Sequence, residues 1–215
     1  MGGYQMALGS CGTVSVAYPG GSVQLVTPDD VQSAWASVGT PVPLQYFIGT
    51  AAHETGGQNV AGPFKLNEVD LNDQSCSEHP PNSYGIYQLS PSECASAGYT
   101  YNDALSLGPA TTILAYIAGN RASQLRAALG WPDDGSGDLP GFSAWLAYAH
   151  NKGIGAAIPM AQQYGGDWYA FAATGSDPAI IAYGNDCIGP WGGSSSAVGL
   201  VFAIGLAAGI AYLLA

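Results

Sequence analysis

The chain has 215 residues and a formal net charge of −11, with four Lys or Arg residues against fifteen Asp or Glu. Four scattered cations do not make the basic face that nucleic-acid binding requires, and they argue equally against attraction to an anionic lipid surface. Hydrophobic residues make up 47% of the chain, which is enough for the core of one compact domain without a stabilising metal or disulfide.

The four cysteines, Cys11, Cys76, Cys94 and Cys187, form no C-x-x-C pair, which argues against a zinc ribbon or a thioredoxin-like site. An even number of cysteines in an acidic, Gly- and Tyr-rich chain indicates an oxidising compartment. The favoured disulfide pairing joins Cys76 to Cys94 and Cys11 to Cys187. Four buried free thiols are an equally good interpretation.

Residues 1–26 are predicted to be extended, because TVSVAY and SVQLV alternate apolar and polar residues on either side of a PGG turn. A first helix is predicted from a Thr27 cap to about Val38, where Gly39 ends it.

A second predicted helix follows Pro43 and ends at Gly56–Gly57, so that Glu54 lies in its last turn. An ionised carboxylate at that position faces the negative end of the helix dipole, which is unfavourable. A residue that is kept in a position disfavoured by the local structure, as a carboxylate is at the C-terminal end of a helix, is a candidate for a functional residue.

The next part of the chain is predicted to be a polar, irregular stretch followed by three helices that begin or end at recognisable cap and breaker residues. In chain order these elements are an irregular segment over 58–82, a short helix from Ser90 with a Glu93 capping box to Gly98, a long helix over 102–129 broken at Gly108–Pro109, a loop over 131–141, and a helix over 142–152 stopped by Gly153.

The last residues, 197–215, read AVGLVFAIGLAAGIAYLLA, carry no charge, and would form a helix about 28 Å long, which matches the roughly 30 Å hydrocarbon core of a bilayer. They are predicted to be a transmembrane anchor, joined by a Gly/Ser linker over 189–196. No Lys or Arg flanks the span, so its orientation is open. The predicted organisation is an extended segment over 1–26, a mainly α, single globular domain over 27–188, the linker and the C-terminal transmembrane helix.

The pair His53–Glu54 raises the question of zinc, but an H-E-x-x-H metallopeptidase needs a second histidine one helical turn later, and that position is Gly57. The sequence contains no G-x-S-x-G, no catalytic-cysteine signature and no phosphate-binding loop. Neither a metal nor another cofactor is therefore expected. General acid chemistry remains, because a lone glutamate at the end of an apolar helix can hold its proton near neutral pH and protonate a glycosidic bond.

Three segments resemble the lytic transglycosylase branch of the lysozyme-like superfamily, in the order that the family shows. HETGG, around Glu54, is similar to the E-S/T-G motif that carries the catalytic acid. SYGIYQLS, residues 83–90, is similar to S-x-G-L-M-Q-I, and AHNKGIGA, residues 149–156, is similar to A-Y-N-A-G-x-G-A. With the helices between them, these segments cover roughly residues 28–170.

The resemblance implies an α+β lysozyme-like fold and cleavage of the β-1,4 bond between N-acetylmuramic acid and N-acetylglucosamine in peptidoglycan, with Glu54 as the single acid/base. Gly85 would let the backbone approach a sugar, Gln88 would hydrogen-bond it, and tyrosines would stack on pyranose rings. For Tyr87 core packing is an equally good interpretation, and for Trp145 it is the better one. The implied glycan-binding residues are Ser83, Tyr84, Gly85, Ile86, Tyr87, Gln88, Tyr148, His150 and Asn151.

Two departures from the family's pattern leave other outcomes open. The tyrosine of the third motif falls on His150, and the unusually long interval between the first two motifs carries Glu68, Asp70 and Asp73. A second carboxylate there could activate water, as in goose-type lysozymes, which would give hydrolysis in place of an anhydro-sugar. The other alternative is a domain that has lost catalysis and serves as a wall-binding or structural membrane protein.

The N-terminus has no basic residue before its apolar residues and is a poor secretory signal. An anchor without such a signal fits the virion membrane of a bacteriophage, where the enzyme would open the cell wall locally during entry; the bacterial envelope is the alternative location. The expected partners are peptidoglycan glycan strands, the lipid bilayer through residues 197–215 and other virion membrane proteins, without nucleic acid.

Overall fold

The computed structural model describes residues 5–7, 13–71 and 82–188. The first helix begins and ends where the sequence predicts. Helix α1 (Pro28–Val38) starts with a capping box, in which the Thr27 hydroxyl accepts from the Asp30 N–H and the Asp30 carboxylate accepts from the Thr27 N–H. Gly39 ends the helix in the left-handed conformation, with φ 65°.

Helix α2 (Leu44–Glu54) begins after Pro43 as predicted and ends just before the predicted stop at Gly56–Gly57, with Glu54 in its last turn. Residues 46–52 are all buried, so this helix is surrounded by protein along most of its length. After Glu54 the chain leaves the helix, and the next two backbone N–H groups both bond to the Ala51 carbonyl. Glu54 is therefore held at the tip of a rigid, buried helix.

In the described residues, six further helices make the domain mainly helical, as predicted, with 56% helix and 8% strand. Their bounds are α3 (Pro91–Ser96), α4 (Leu107–Leu129), α5 (Phe142–Lys152), α6 (Ile154–Gln163), α7 (Trp168–Ala172) and α8 (Pro178–Ile188). Helices α2, α5 and α8 pack against one another, and α4 packs against α1 and α6.

The predicted break of the long helix at Gly108–Pro109 is wrong. Helix α4 includes Pro109 in its first turn, and a separate 3-10 turn occupies Asp103–Leu105. A proline in the first turn lacks only an N–H that would have no partner in the helix, so it favours the start of a helix. The interruption lies at Ser106, which is extended with φ −122° and ψ 132°.

The part of the chain that the structure describes also contains six short strands: β1 (Gln5–Ala7), β2 (Thr13–Ala17), β3 (Leu25–Val26), β4 (Phe64–Lys65), β5 (Val69–Leu71) and β6 (Asn82–Tyr84). One antiparallel sheet has the order β1-β2-β5-β6, and β3 pairs with β4. The prediction of an irregular segment over 58–82 therefore missed β4, β5 and the start of β6. Strands this short show no alternation of their own, so their pairing depends on tertiary contacts.

Helices α2 and α8 approach each other closely enough for their backbones to meet. Gly49 lies against the backbone of Cys187, and a Cβ at position 49 would be 2.5 Å from the Cys187 Cα. Because position 49 has no side chain, α8 can lie directly on α2. This approach stacks the Tyr183 ring on the His53 ring, with centroids 3.9 Å apart and planes inclined by 4°.

Cys94 and Cys187 are buried, and neither forms a disulfide within the described part of the chain. Their predicted partners, Cys11 and Cys76, lie outside the described residues, so those pairings stay predictions. The linker over 189–196 and the anchor over 197–215 also lie outside them. None of the helices that are described has both the length and the apolar character needed to cross a bilayer.

Candidate active site

The first predicted site residue, Glu54, lies at the exposed end of α2. Its side chain is 20% exposed, so the carboxyl is mostly withdrawn from water while part of it stays accessible. His150, at the end of α5, lies beside it, with 3.8 Å between the His150 Nε2 and the Glu54 Oε1. The first and third motifs of the sequence thus meet at this pair.

Burial raises the pKa of Glu54 to about 7, because an anion loses its hydration there, and the nearby carboxylates of Asp70 and Glu93 raise it further. The Tyr183 hydroxyl lies close to Glu54 and lowers its pKa in part, although it makes no hydrogen bond of normal geometry. At pH 7 about half of the Glu54 carboxyls therefore carry the proton that a general acid must give, and most carry it below pH 6.

Next to His150 lies a partly buried ion pair. Arg121 of α4 donates from Nη2 to the Glu93 Oε1 at 2.7 Å, and its Nη1 lies 3.1 Å from the His150 Nδ1. The other Glu93 oxygen, Oε2, accepts from the Ser90 N–H and hydroxyl in the capping box of α3. Glu93 therefore joins the start of α3 to Arg121, and Arg121 contacts the histidine beside Glu54.

The second motif forms the turn between β6 and α3, and its hydrogen bonds are internal. The Gln88 side chain accepts from the Ser83 hydroxyl and donates to the carbonyls of Gly85, at 2.9 Å, and Glu68, at 3.3 Å. Gln88 itself has the unusual φ of 47°. This turn directs the Tyr87 carbonyl to the His150 Nε2, 3.3 Å away.

Two expectations for this motif change with the structure. Both amide hydrogens of Gln88 are used inside the protein, so Gln88 holds the turn in shape and has no donor left for a sugar. Gly85, at φ 75°, must be a glycine because a Cβ there would overlap the Ala104 carbonyl oxygen. The backbone at Gly85 therefore approaches another part of the protein closely, and not a sugar as expected.

Of the predicted tyrosines, Tyr87 and Tyr148 do not offer a ring face to a sugar. Tyr87 is fully buried against Phe47, and Tyr148 is 8% exposed and packs on Phe171. Ile86 is buried as well, and Trp145 lies in the core as expected. All four side chains belong to the core, because the turn of the second motif and helix α5 both face the centre of the domain.

Tyr84 is the predicted tyrosine that stays partly exposed, and its ring lies 4.8 Å from that of Tyr101, which is 45% exposed. Ser83 is buried under Gln88, while Asn151, at the end of α5, is exposed. The structure therefore brings together the side chains of Glu54 and His150 with the backbone of the second motif.

Sequence reasoning missed three residues of this site: Arg121, Glu93 as its partner, and Tyr183. Glu93 was recognised for its capping box alone. The scarcity of charge is the signal that could have found the pair, because an arginine in an apolar helix of so uncharged a chain needs a carboxylate. Tyr183 lies in a segment without any motif, and its place beside Glu54 depends on the packing of α8.

Four buried polar atoms in the described residues have no hydrogen-bond partner: Tyr46 Oη, His53 Nδ1, Asp70 Oδ1 and Tyr183 Oη. Groups of this kind are uncommon in folded proteins, and they concentrate where a site is built for something other than stability. Asp70 and Tyr183 both affect the pKa of Glu54, so two of the four surround the candidate acid.

All four cations of the chain are paired with a carboxylate: Lys65 with Glu68, Arg121 with Glu93, Arg126 with Asp138 and Lys152 with Asp177. No Lys or Arg side chain is therefore left unpaired to attract an anionic ligand. Within 5–7, 13–71 and 82–188, no three His, Cys, Asp or Glu side chains come together as a metal site would require.

Comparison of the chain with protein-family models, with curated proteins and with solved structures gave no match.

Proposed function

We propose that the protein is a peptidoglycan lytic transglycosylase with an α+β lysozyme-like fold, and that Glu54 is its acid/base. One observation carries the proposal: a glutamate at the tip of a buried helix is mostly desolvated, still 20% exposed, and has a pKa raised by burial to about 7. A second carboxylate is not needed for this reaction, which fits a site centred on one glutamate. The three motifs that resemble the family support the same assignment.

In the proposed reaction Glu54 protonates the oxygen between N-acetylmuramic acid and N-acetylglucosamine, and the bond from that oxygen to the muramic acid C1 breaks. A hydroxyl of the same muramic acid then forms the new bond to C1 and returns its proton to Glu54. No water is consumed, and the product ends in an anhydro-sugar. His150 and the Tyr87 carbonyl border the carboxyl on the protein side.

A specific observation favours hydrolysis as the second candidate. Asp70 of β5 has a buried carboxylate oxygen without a partner, and burial together with the charge of Glu68 raises its pKa to about 6. Its influence on the pKa of Glu54 means that the two carboxyls share one region. A base in that position could activate water for attack on C1.

Mass spectrometry of purified peptidoglycan digested by the full chain tests these functions. Anhydro-muropeptides support the transglycosylase, new reducing ends support the muramidase, and an absence of products overturns both and favours a wall-binding or structural protein. The anchor over 197–215 and a place in the virion membrane remain part of the proposal. Detection of the protein in purified virions would support that location, and detection only in uninfected cells would contradict it.

The variant Asp70→Asn separates the two chemistries. For a transglycosylase we expect the yield of anhydro-product to change by about twofold or less, because Asp70 acts on Glu54 only through its charge. For a hydrolase the yield of reducing ends should fall by about 10²-fold or more, since the base is lost. The measurement is the ratio of the two products, with Asp103→Asn, an exposed cap residue, as the matched control.

The pH dependence of cleavage should follow the protonated form of Glu54. We expect kcat/KM to be lost as pH rises through about 7, falling by about tenfold per pH unit above that value, because only the protonated carboxyl can act as the acid. Initial rates on soluble glycan strands between pH 5 and 9 check this, with circular dichroism confirming the fold at each pH. A rate that stays constant to pH 9 would exclude Glu54 as the acid.

A further inference from the structure

His150 lies beside the candidate acid Glu54, at the position where the lytic transglycosylase motif has a tyrosine. The two ring nitrogens of His150 have different partners. Nδ1 lies 3.1 Å from the Arg121 Nη1, and Nε2 lies 3.3 Å from the Tyr87 carbonyl oxygen and 3.8 Å from the Glu54 Oε1. The side chain of His150 is 6% exposed, so these protein groups, and not bulk water, decide where its proton lies.

The donor and acceptor rules select one tautomer. A guanidinium has only donors and stays charged in proteins, so the His150 Nδ1 must accept from Arg121 and cannot carry a proton. The single proton of the neutral ring is then on Nε2, which faces two acceptors, the Tyr87 carbonyl and Glu54. The carboxylate of Glu93 holds Arg121 in place through the 2.7 Å ion pair.

We propose that Arg121, held by Glu93, fixes the His150 tautomer, and that His150 is thereby a positioning residue that orients the Glu54 carboxyl through its Nε2–H. The distance of 3.8 Å between Nε2 and Oε1 exceeds a hydrogen bond, but such contacts are often long before substrate binds and shorten in the complex. An Nε2–H donated to Oε1 leaves Oε2 as the oxygen that carries the acidic proton. This inference rests on the proposed function of Glu54.

The histidine also has to be neutral for this arrangement to work. An imidazolium beside Glu54 would stabilise the carboxylate and remove the proton that the reaction needs. Burial lowers the pKa of His150 to about 4, and the charge of Arg121 opposes protonation further, whereas Glu93 and the Tyr87 carbonyl favour it. The titratable or charged groups around the pair are His53 and Tyr46 on α2, Asp70 on β5, Glu93 on α3, Arg121 on α4, and Tyr183 and Cys187 on α8.

The variant Arg121→Met tests the proposal. Without the guanidinium, the Glu93 carboxylate is left facing Nδ1, and we expect His150 to take a proton there, as the other tautomer or as the imidazolium. Nitrogen-15 NMR of the ring should show an unprotonated Nδ1 at pH 7 in the unsubstituted chain and a protonated Nδ1 in the variant. The midpoint of the alkaline limb of kcat/KM should fall by about 1 to 3 pH units when the imidazolium forms.

Arg126→Met is the matched control, because Arg126 lies on the same helix and forms an equally short ion pair with Asp138, at 2.7 Å. The two arginine side chains are 15% and 11% exposed, respectively, so both variants lose a comparable, partly buried ion pair. Arg126→Met should leave the His150 nitrogen shifts and the alkaline limb unchanged. Arg121→Lys, which keeps a charged donor, should restore the Nε2–H tautomer.

A protonated Nδ1 in the unsubstituted chain overturns the proposal, whether or not Arg121→Met folds. Equal nitrogen shifts and equal alkaline limbs in the two Met variants overturn it too. If no glycan cleavage is found, the proposed function fails separately, and carbon-13 titration of the Glu54 carboxyl replaces the rate profile. A lower Glu54 midpoint in Arg121→Met than in Arg126→Met then supports the positioning role, and an equal midpoint refutes it.

Discussion

Replacement of Glu54 by Gln is expected to abolish glycan cleavage while making the fold more stable at pH 8. Gln has nearly the same shape as a protonated glutamate, but it has no acidic proton to give. General acid and base steps typically contribute about 10²–10⁴-fold to a rate, and here one residue performs both. We therefore expect a loss of at least about 10³-fold in the release of muropeptides from purified peptidoglycan.

The stability part of this prediction follows from the raised pKa of Glu54. Between the ordinary value of 4.5 and the folded value of about 7, the folded state binds more protons than the unfolded state, so the free energy of unfolding falls as pH rises through this window. The shift corresponds to about 3 kcal/mol. Glu54→Gln removes this destabilisation. The difference in the free energy of unfolding between the variant and the unsubstituted chain should be absent at pH 4 and complete at pH 8.

Urea unfolding of both proteins at pH 4 and pH 8 measures this difference, and the pH 4 pair is the internal control. A variant that loses activity without gaining stability at pH 8 would mean that Glu54 is more solvated than its position implies. Retained cleavage in Glu54→Gln would refute the assignment of the acid. The combination of lost activity and gained stability is typical of a group held in an unfavourable environment for its function.

The second large effect is expected from Gly49→Ala in helix α2. A Cβ at this position would lie 2.5 Å from the Cys187 Cα, which is backbone and cannot move aside like a flexible side chain. Helix α8 must therefore shift away from α2. Such overpacking costs about 1–3 kcal/mol, even though alanine favours a helix more than glycine does.

The displacement should also reduce activity, because α8 brings Tyr183 onto His53 beside the candidate acid, with ring centroids 3.9 Å apart. We expect a lower midpoint of thermal unfolding together with a drop in kcat/KM for glycan cleavage. Circular dichroism melts and muropeptide release, measured on the same preparation, check the two effects.

Gly119→Ala is the matched control for this substitution. Gly119 lies inside helix α4 with an ordinary φ, and a Cβ there would meet nothing within 4 Å. This variant should gain about 0.5–1 kcal/mol of stability from the better helix propensity and keep its activity. Equal stabilities of the Gly49→Ala and Gly119→Ala variants would show that α2 and α8 are not in close contact.

Local signals in the sequence predicted the elements on which Glu54 depends. The capping residues Thr27 and Ser90, the stop at Gly39 and the end of α2 at Glu54 all act within a few residues, so they can be read without knowledge of the fold. The predicted break of the long helix at Gly108–Pro109 is wrong, because a proline near the start of a helix favours the helix and does not end it.

Side-chain roles within the motifs were harder to predict, because burial is set by tertiary packing. Tyr87 and Tyr148 have the chemistry to stack on sugars, but both face the core. Gln88 has the chemistry to bind a sugar, but its amide donates to Gly85 and Glu68. A sequence motif specifies which groups are present, whereas the surrounding elements decide which of them reach solvent.

By itself, the sequence determined the helix bounds near the site, the low charge, and Glu54 as a carboxyl in an unfavourable place, since each depends on residue type and local spacing. Only the tertiary structure decided the neighbours of that carboxyl. His150 comes from α5 and Tyr183 from α8, and Arg121 of α4 acts on the carboxyl only through its contact with His150. These helices come together through long-range packing that no local pattern encodes. The reason is physical: the pKa of Glu54 and the tautomer of His150 depend on desolvation and nearby charge, and both arise only when distant segments exclude water together.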